Sequence, residues 1–392
     1  MKKILFISED AVRPGHPNGG QVCVRRHFSN LAKGDWRIYV AAPEEHQMGL
    51  SLMSAQAGLF LPRRMTDWFR SSGLMRKVAQ PFLVSKVARY AKSIGADVLL
   101  TNLNRTFPIL AARVARRAKV PLGVIIYDQR EIWEDDSVRL SRLYGETQEV
   151  FAAASRLWFV TKELQAAYEA EGVSMAPQTA SRLLPIPEGW KGGGVEWKPS
   201  YAEKCVLGFA GGLHTVEPEV LSQLGKAVDA GGHELLMILP PGREGELDPL
   251  KACRGLRTVP AFPDVRDALA YLQQQCSALL VPYAVNPPSR SMALTSFPSK
   301  LLEFSHLGLP VMVIASEETP VGRWAKEEQI ATYVSGGTAE SIAPVLRGLQ
   351  ERAFWEECRQ HLGRLSQTSF SPAHIHSGFE RDLEALAALR LK

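Results

Sequence analysis

The chain contains 392 residues, enough for two or three domains, and its 45% hydrophobic and 22% charged residues are typical of globular proteins. No apolar run approaches the roughly 20 residues that a membrane-spanning helix needs, and the short apolar run at the start reads as a strand, not as a signal peptide. The cysteines lack C-x-x-C spacing, which argues against a metal site and favours reduced thiols in a cytoplasmic protein: Cys23, Cys205, Cys253, Cys276 and Cys358.

The net charge of +5 is unevenly distributed along the chain. Residues 1–200 carry 28 Lys and Arg against 19 Asp and Glu, whereas residues 201–392 carry 18 against 22. The first part is therefore basic by nine charges and the second acidic by four. A basic first part suggests an anionic partner for it, and a membrane surface, an anionic glycan and a nucleic acid are the candidates.

The chain begins with a βαβ pattern. Lys3–Ser8 predicts a strand, Gln21–Lys33 has helical periodicity, and a second strand starts at Arg37. The loop before the helix ends in Gly19 and Gly20, where the backbone can approach a ligand closely, and the following helix start favours a phosphate or sugar oxygen. A tight turn explains these glycines equally well, and their spacing is not that of a dinucleotide fingerprint.

Residues 57–92 differ in character from their surroundings. Eight basic residues face a single acidic one, Asp67, and aromatic and aliphatic residues are interleaved with them. This pattern suits a surface helix resting on anionic lipid, and a solvated basic face over a core stripe is the alternative. Pro81 is expected to divide the stretch into two helices. The basic residues are Arg63, Arg64, Arg70, Arg76, Lys77, Lys86, Arg89 and Lys92.

Three further strands and a helix complete the first half. Asp97–Asn102 predicts a strand and Phe107–Lys119 a helix, and the buried strand Val120–Tyr127 then leads into a charged loop over residues 128–136. Doubly wound sheets place their ligands where a buried strand ends in such a loop. Leu157–Thr161 is expected to be the last strand of this half.

The pattern then restarts after a linker. Residues 184–199 are rich in Pro and Gly and predict a domain boundary. From Cys205 the sequence gives a strand, the pair Gly211–Gly212, and a helix over Pro218–Ala230. We therefore predict an α/β protein with two Rossmann-like doubly wound domains that face a cleft. The predicted boundaries are 1–190, a linker at 191–204, 205–370, and a C-terminal helix at 371–392.

The most informative stretch is Thr295–Ile314. It predicts a loop, a short helix that Ser296 or Phe297 caps and whose first turn includes Pro298, and a buried strand. Free N–H groups in the first turn, together with Lys300, can hold an anion. Glu303 lies on the same helix face, where its carboxylate can accept both hydroxyls of a ribose. An ordinary crossover with a surface Lys–Glu pair is the alternative interpretation.

The pattern S-F-P-x-K-L-L-E-F-x-x-x-G-L-P-V over residues 296–311 resembles the nucleotide-sugar site of GT-B glycosyltransferases, particularly the large group-1, family-4-like superfamily. In that family the helix start and a basic residue hold the donor diphosphate, and the last Glu binds the ribose. Carried over, these roles fall on Lys300 and Glu303. Where the family often has a further Glu near the donor sugar, this chain has Thr295. The resemblance also implies that the last helix crosses back to the first domain.

The resemblance extends to other positions. The loop at Gly19–Gly20 is expected to face the interdomain cleft, and Gly211–Gly212 corresponds to the loop against the donor phosphates. The Arg and Lys that commonly follow that loop are replaced by Leu213-His-Thr-Val-Glu. The predicted donor site therefore consists of Gly19, Gly20, Gly211, Gly212, Arg243, Phe262, Arg290, Ser296, Phe297, Pro298, Ser299, Lys300 and Glu303. In it, Phe262 is expected to stack on the base, with a core position as the alternative.

For the acceptor, the resemblance makes Asp128 a candidate base if the enzyme inverts. The alternatives are a helix cap and a structural ion pair. Beside Arg130 we expect Asp128 to stay ionised without a raised pKa. The acidic run at 134–136 has no D-x-D pattern and reads as a solvated loop, so no metal and no cofactor are predicted.

The predicted function is transfer of a sugar from a UDP- or GDP-linked donor to a glycan, lipid-linked or other hydroxyl acceptor, as in bacterial surface polysaccharide or glycoconjugate synthesis. A nucleotide-sugar epimerase of the same fold and a catalytically weak nucleotide-sugar-binding protein are the alternatives. We expect a cytoplasmic protein whose 57–92 segment can contact the inner face of the plasma membrane. No nucleic-acid partner is predicted.

Overall fold

The structure of the chain is a computed structural model that describes residues 1–9, 19–44, 55–71, 74–176, 179–187 and 194–389. The chain divides into two compact units. The first unit comprises Met1–Ile186 together with Ile375–Lys392, and the second comprises Pro187–His374. Each unit contains its own parallel sheet with helices connecting the strands.

The first unit contains a seven-stranded parallel sheet. Its strands are short apolar runs such as Leu122–Ile126, in which all five residues are buried, and such runs suit a sheet covered on both faces. The strands are β1 Lys2–Ile7, β2 Trp36–Pro43, β3 Ala57–Leu61, β4 Val98–Asn102, β5 Leu122–Ile126, β6 Arg156–Phe159 and β7 Ala180–Arg182. Their order, β3-β2-β1-β4-β5-β6-β7, changes direction between β1 and β4, as in doubly wound folds.

The helices of the first unit are α1 Gly19–Leu31, α2 Arg63–Arg70, α3 Leu74–Ile94, α4 Phe107–Ala118, α5 Ser137–Ala153 and α6 Lys162–Ala170, and a 3-10 helix covers Arg130–Trp133. Two of them begin at capping side chains. Asp136 accepts a hydrogen bond from the N–H of Arg139, and Thr161 accepts one from the N–H of Leu164. Capping therefore fixes where α5 and α6 begin.

The second unit contains a six-stranded parallel sheet in the order β10-β9-β8-β11-β12-β13. Its strands are β8 Val206–Ala210, β9 Glu234–Leu239, β10 Leu256–Pro260, β11 Ala278–Pro282, β12 Val311–Ile314 and β13 Tyr333–Val334. The order changes direction between β8 and β11. In such sheets a ligand binds beyond the carboxyl ends of the strands on either side of that change.

The helices after β7 are α7 Ser200–Glu203, α8 Pro218–Ala230, α9 Val265–Gln275, α10 Ser299–Ser305, α11 Pro320–Glu327, α12 Ala339–Gly348, α13 Arg352–Gln367 and α14 Pro372–Ala387. Two 3-10 helices cover Glu244–Leu250 and Met292–Leu294. From Ile375 onward, α14 belongs to the first unit. In the part of the chain that the structure describes, no helix combines the length and the hydrophobicity needed to cross a bilayer.

The predicted fold class, α/β with two Rossmann-like doubly wound domains, is confirmed by the two parallel sheets. Three local predictions are wrong. Leu157–Thr161 is not the last strand of the first half, because β7 follows it at the sheet edge. Residues 57–61 form the edge strand β3 and not part of a basic helix. Pro81 lies inside α3 and does not end it. Pro81 is exposed, so the carbonyl that loses its N–H partner can face water.

Candidate functional site

The candidate site lies at the carboxyl end of β8, where the second sheet changes direction. The chain turns there at Gly211, whose φ of 130° lies in a region that L side chains rarely adopt, and its N–H donates to the carbonyl of Ile238 at 2.8 Å. A Cβ atom at Gly211 would overlap Cε and Nζ of Lys300. The glycine is therefore required both by the backbone conformation and by the lysine side chain that lies against it.

Lys300 is held in place by the helix on which it lies. Residues 301–305 of α10 are buried and anchor the first turn of the helix. Nζ of Lys300 lies 5.7 Å from the centre of the Phe209 ring, at the end of β8. Burial lowers the pKa of the Lys300 ammonium, Glu303 and Glu246 act in the opposite direction, and Arg243 adds to the lowering. An anion bound here would meet a positive charge that water screens only in part.

Arg243 approaches the same turn from the loop after β9. Its Nη1 lies 2.8 Å, and Nδ1 of His214 lies 3.2 Å, from the point that a Cβ of Gly212 would occupy. Arg243 also forms an ion pair with Glu246, whose second carboxylate oxygen accepts the N–H of Leu213 at 2.6 Å. Glu246 thus ties the loop after β8 to the arginine.

His214 is the third basic residue of this cluster, after Lys300 and Arg243. Its side chain is exposed, and desolvation, with smaller contributions from Arg243 and Lys300, lowers its pKa below the ordinary value for histidine. Glu246 opposes the lowering. Desolvation, together with the two neighbouring cations, therefore holds the imidazole toward its neutral form.

Glu303 lies one turn after Lys300 on α10 and is only 9% exposed. This burial argues against the alternative of a solvated surface Lys–Glu pair, because such a pair would leave the carboxylate in water. Buried carboxylates are retained where they are hydrogen-bonded or interact with a positive charge, and Glu303 acts on the charge of Lys300.

The start of α10 differs from the prediction. Pro298 occupies the N-cap position without a side-chain cap hydrogen bond, and the half-buried Ser299 is the first helical residue. Neither Ser296 nor Phe297 caps the helix. The Ser296 hydroxyl instead donates to the carbonyl of Met292 at 2.8 Å and lies 2.7 Å from the hydroxyl of Tyr283. These contacts hold the preceding loop in place.

Two other predicted site residues, Phe297 and Phe262, make their ring contacts away from this cluster. Phe297 packs with Trp324 and Phe370, at ring-centre distances of 5.9 and 6.2 Å. Phe262 is half-buried beyond the edge strand β10 and contacts the ring of Tyr271 at 5.4 Å. Arg290 is exposed in the loop after β11, and Thr295 is buried, with its hydroxyl 3.4 Å from the carbonyl of Met292.

Asp128 follows β5 in the first unit. Asp128 is exposed to solvent, yet nearby protein atoms raise the pKa of its carboxyl through desolvation. The expectation of an unshifted pKa beside Arg130 is therefore wrong. Arg130 points elsewhere: its guanidinium donates to the hydroxyl of Thr147 at 2.9 Å and contacts Glu131 at 3.3 Å. The caps of the following helices are Gln129 and Asp136, so Asp128 caps neither.

Gly19 and Gly20 are the first two residues of α1. The remainder of the glycine-rich loop, residues 10–18, lies outside the described residues. The two glycines and Asp128 belong to the first unit, whereas Gly211, Gly212, Arg243, Lys300 and Glu303 belong to the second.

Sequence reasoning missed two members of the cluster. His214 lies two residues beyond Gly212, and its position after a strand at the change in sheet direction is a signal that could have identified it. Glu246 has only the i,i+3 spacing from Arg243 as a signal, and such spacing is common on protein surfaces. Within the described ranges, no group of three His, Cys, Asp or Glu side chains is placed to hold a metal ion.

The cluster brings a lysine, an arginine and a histidine to two successive glycines that expose their backbone. Such a site can hold an anion with several oxygens, because each cation can meet a different oxygen and the glycines allow the anion to approach the main chain. The buried carboxylate of Glu303 one turn away offers an acceptor for hydroxyl groups. Chemically, the arrangement fits a diphosphate joined to a polyol.

Solved structures share this fold. HepE from Anabaena, solved in complex with UDP and glucose, superposes with a TM-score of 0.68 at 13% identity, covering 98% of this chain and 100% of HepE. Sucrose-phosphate synthase from Thermosynechococcus elongatus gives a TM-score of 0.65 at 14% identity, covering 99% and 100%. This chain has the GT-B fold.

The GT-B fold by itself does not fix the reaction. UDP-GlcNAc 2-epimerase from Neisseria meningitidis, solved with UDP-GlcNAc bound, matches with a TM-score of 0.58 at 11% identity, covering 98% of this chain and 100% of that one. No protein-family model and no curated protein sequence matches the chain. At these identities the likeness establishes the GT-B architecture, and the choice of reaction has to come from the residues of the site.

Proposed function

We propose that this protein is a glycosyltransferase that moves a sugar from a nucleotide-diphosphate-sugar donor to a hydroxyl of a glycan or lipid-linked acceptor, in surface polysaccharide or glycoconjugate synthesis. The observation that carries the proposal is the convergence of Lys300 and Arg243 on Gly211 and Gly212, with Glu303 one helical turn away. These residues supply, in one place, the contacts that a diphosphate and a ribose require. No cofactor and no metal are part of the proposal.

The proposed chemistry depends on the leaving group. As the bond between the sugar and the diphosphate breaks, negative charge grows on the diphosphate oxygen that departs. Lys300 and Arg243 would stabilise that charge without reorganising, because the protein already holds both side chains against the turn. Glu303 would fix the ribose and thereby the position of the diphosphate over Gly211 and Gly212. Sugar transfer thus becomes faster because the leaving group is stabilised.

Asp128 is the proposed base on the acceptor side for an inverting reaction. The upward shift of its pKa is in the direction that favours a general base, because proton transfer becomes more efficient as the pKa of the base moves toward the operating pH. For a retaining reaction Asp128 would contact the acceptor without taking its proton. The proposal for the donor site stands independently of this choice.

The neighbouring structures support a nucleotide-sugar donor, since HepE is described with UDP and glucose and the Neisseria meningitidis enzyme with UDP-GlcNAc. That second enzyme also makes an epimerase the main alternative. Incubation with a nucleotide sugar in the absence of any acceptor separates the two, because an epimerase converts its donor to an isomer and a transferase does not. The third possibility is a protein that binds the donor without turnover, and it is suggested by Thr295 at the position where the family often has a Glu. The donor would raise the melting temperature of such a protein, but no nucleotide would be released.

The first experiment is a melting-temperature screen against UDP-, GDP-, ADP-, CMP- and dTDP-sugars. A ligand that binds only the folded state raises the melting temperature by mass action, so we expect one nucleotide class to stand out. Turnover of that donor with a mixture of glycan and lipid-linked acceptors is then measured by nucleotide release. If no nucleotide sugar of the panel raises the melting temperature, the proposed donor site is wrong.

A substitution at Lys300 tests the proposed chemistry. Lys300→Ala should reduce turnover about a hundredfold, because losing one contact to the leaving group costs on the order of 3 kcal/mol in the transition state. The fold should survive, as judged by the melting temperature. Lys326→Ala is the matched control, because Lys326 is exposed and pairs with Glu317 on the surface of the same unit. Equal turnover in the two variants would contradict the assigned role.

We also propose an anionic membrane as the surface from which the acceptor is taken. The support is the first half of α3, where four large apolar side chains are exposed next to basic residues of α2 and α3. Such a surface can insert its apolar residues among lipid head groups while the cations meet anionic lipid.

A further inference from the structure

The imidazole of His214 occupies a position that the chemistry described above leaves unused. Its Nδ1 lies 3.2 Å from the point that a Cβ of Gly212 would fill, and Nη1 of Arg243 lies 2.8 Å from the same point. Lys300 lies against the adjacent Gly211. The imidazole and the two permanent cations therefore lie around one short stretch of main chain, Gly211–Gly212.

The charges around His214 come from three elements. Arg243 approaches from the loop before the 3-10 helix Glu244–Leu250, Lys300 from α10, and Glu246 from within that 3-10 helix. The first two disfavour a third positive charge and Glu246 favours it. Because Glu246 is engaged by Arg243 and by the N–H of Leu213, it does not compensate the two cations fully. Desolvation and these charges of the protein together therefore hold His214 toward its neutral form.

We propose, on the basis of the donor site of the proposed function, that His214 takes up a proton when the donor diphosphate binds and donates a hydrogen bond to a diphosphate oxygen in its imidazolium form. The proton comes from solvent and stays on the imidazole while the nucleotide is bound. Two anionic phosphates next to the ring would offset the charges of Arg243 and Lys300, which disfavour a protonated imidazole. On release of the nucleoside diphosphate the proton returns to solvent.

The sign of the pH dependence follows directly. The protein itself lowers the pKa of His214, chiefly by desolvation. The negative charge of a bound diphosphate would raise that pKa. Between those two values the complex binds one proton more than the free protein, so the affinity for the donor falls as the pH rises. A single proton gives a slope of at most about tenfold per pH unit. We expect the affinity to fall at least about threefold from pH 6.5 to pH 8.

The test uses calorimetric titration of the intact protein with UDP-glucose, GDP-glucose and ADP-glucose, whose pyrophosphates do not titrate near neutral pH. At pH 7.5, two buffers of different ionisation enthalpy give the number of protons taken up on binding. We expect uptake of a substantial fraction of one proton in the wild type. Uptake should disappear in His214→Gln and persist in His361→Gln, in which the removed histidine lies on α13 of the same unit.

A charge-retaining variant distinguishes a charge role from a packing role. His214→Arg carries a permanent cation, so it should bind the donor without proton uptake and with an affinity that does not change between pH 6.5 and pH 8. Binding of a nucleotide sugar with the same proton uptake in His214→Gln as in the wild type overturns the inference and leaves the donor site intact. Absence of binding by all three nucleotide sugars overturns both.

Discussion

At the scale of single residues, Gly211 and Lys300 depend on each other. The lysine side chain lies where a Cβ of residue 211 would be, and the backbone there has a φ of 130°. Gly211→Ala should therefore displace Lys300 and weaken donor binding by at least about tenfold, together with a loss of about 1–2 kcal/mol in the free energy of unfolding from the strained backbone. Calorimetric donor titration and denaturant unfolding measure the two effects.

A second glycine separates strain from displacement of the lysine. Gly232 also has a positive φ, of 64°, but a Cβ there would meet no atom within 4 Å. Gly232→Ala should lower stability and leave donor binding unchanged. If Gly211→Ala binds the donor with wild-type affinity, the lysine is free to move away and the tight contact with Gly211 has no functional consequence.

Local spacing explains which site residues could be predicted. Lys300 and Glu303 lie three residues apart on one helix, so their proximity can be predicted from their spacing in the sequence. Gly211 could be predicted because it directly follows a strand. Arg243 and His214 meet at Gly212 only because β8 and β9 are neighbours in the sheet. The raised pKa of Asp128 was not predictable either. Its neighbour Arg130 turns toward Glu131 and Thr147, which are brought close by tertiary packing.

At the scale of elements, α3 has two apolar faces that differ in their surroundings. One face is buried and includes Ala79, Leu83 and Val87. The other, in the first half of the helix, exposes Leu74 by 73%, Met75 by 47%, Val78 by 50% and Phe82 by 46%. Contiguous exposed apolar side chains of this size mark interaction surfaces in soluble folds. Arg64 and Lys77 are exposed nearby, whereas Arg70 and Arg76 are engaged in ion pairs with Glu9 and Glu146.

The exposed face of α3 is therefore where membrane contact should be tested. Val78→Asp with Phe82→Asp should release the protein from vesicles that contain anionic lipid, because both substitutions place charges where apolar side chains would insert. Val138→Asp is the control, since Val138 is 78% exposed on α5. Co-sedimentation measures the bound fraction, which should also fall with salt. If the wild type does not sediment with such vesicles, the membrane proposal is wrong.

The prediction of elements from sequence succeeded where the hydrophobic pattern is strong. The helix Pro218–Ala230 has the predicted residues, and the strand predicted at Asp97–Asn102 is observed at Val98–Asn102, because a proline at the first helical position and a continuous apolar run are local signals. Pro81 was misinterpreted because its effect depends on exposure. At an exposed helix position the unpaired carbonyl is hydrated, and the helix continues through the proline.

At the scale of the whole molecule, the N-terminal and C-terminal parts of the chain pack together in the core of the first unit. His27 of α1 is fully buried, and its ring centre lies 4.9 Å from that of Phe379 on α14. Its pKa is lowered to about 3, chiefly by burial and further by His376 of α14 and by Arg26, although the backbone of Leu184 acts in the opposite direction. The C-terminal helix is thus held against α1 around a histidine that stays neutral.

This buried histidine makes the first unit sensitive to acid. An unfolded chain binds a proton at His27 with a pKa near 6.5, whereas the folded chain does not until about pH 3, so stability falls as the pH drops through that window. From pH 7.5 to pH 5 the loss attributable to His27 should be about 2 kcal/mol. His27→Leu should remove that part of the pH dependence whatever its effect on stability at pH 7.5, and His361→Gln should retain it. Urea unfolding at several pH values supplies the measurement. An unchanged slope in His27→Leu would show that another group causes the acid sensitivity.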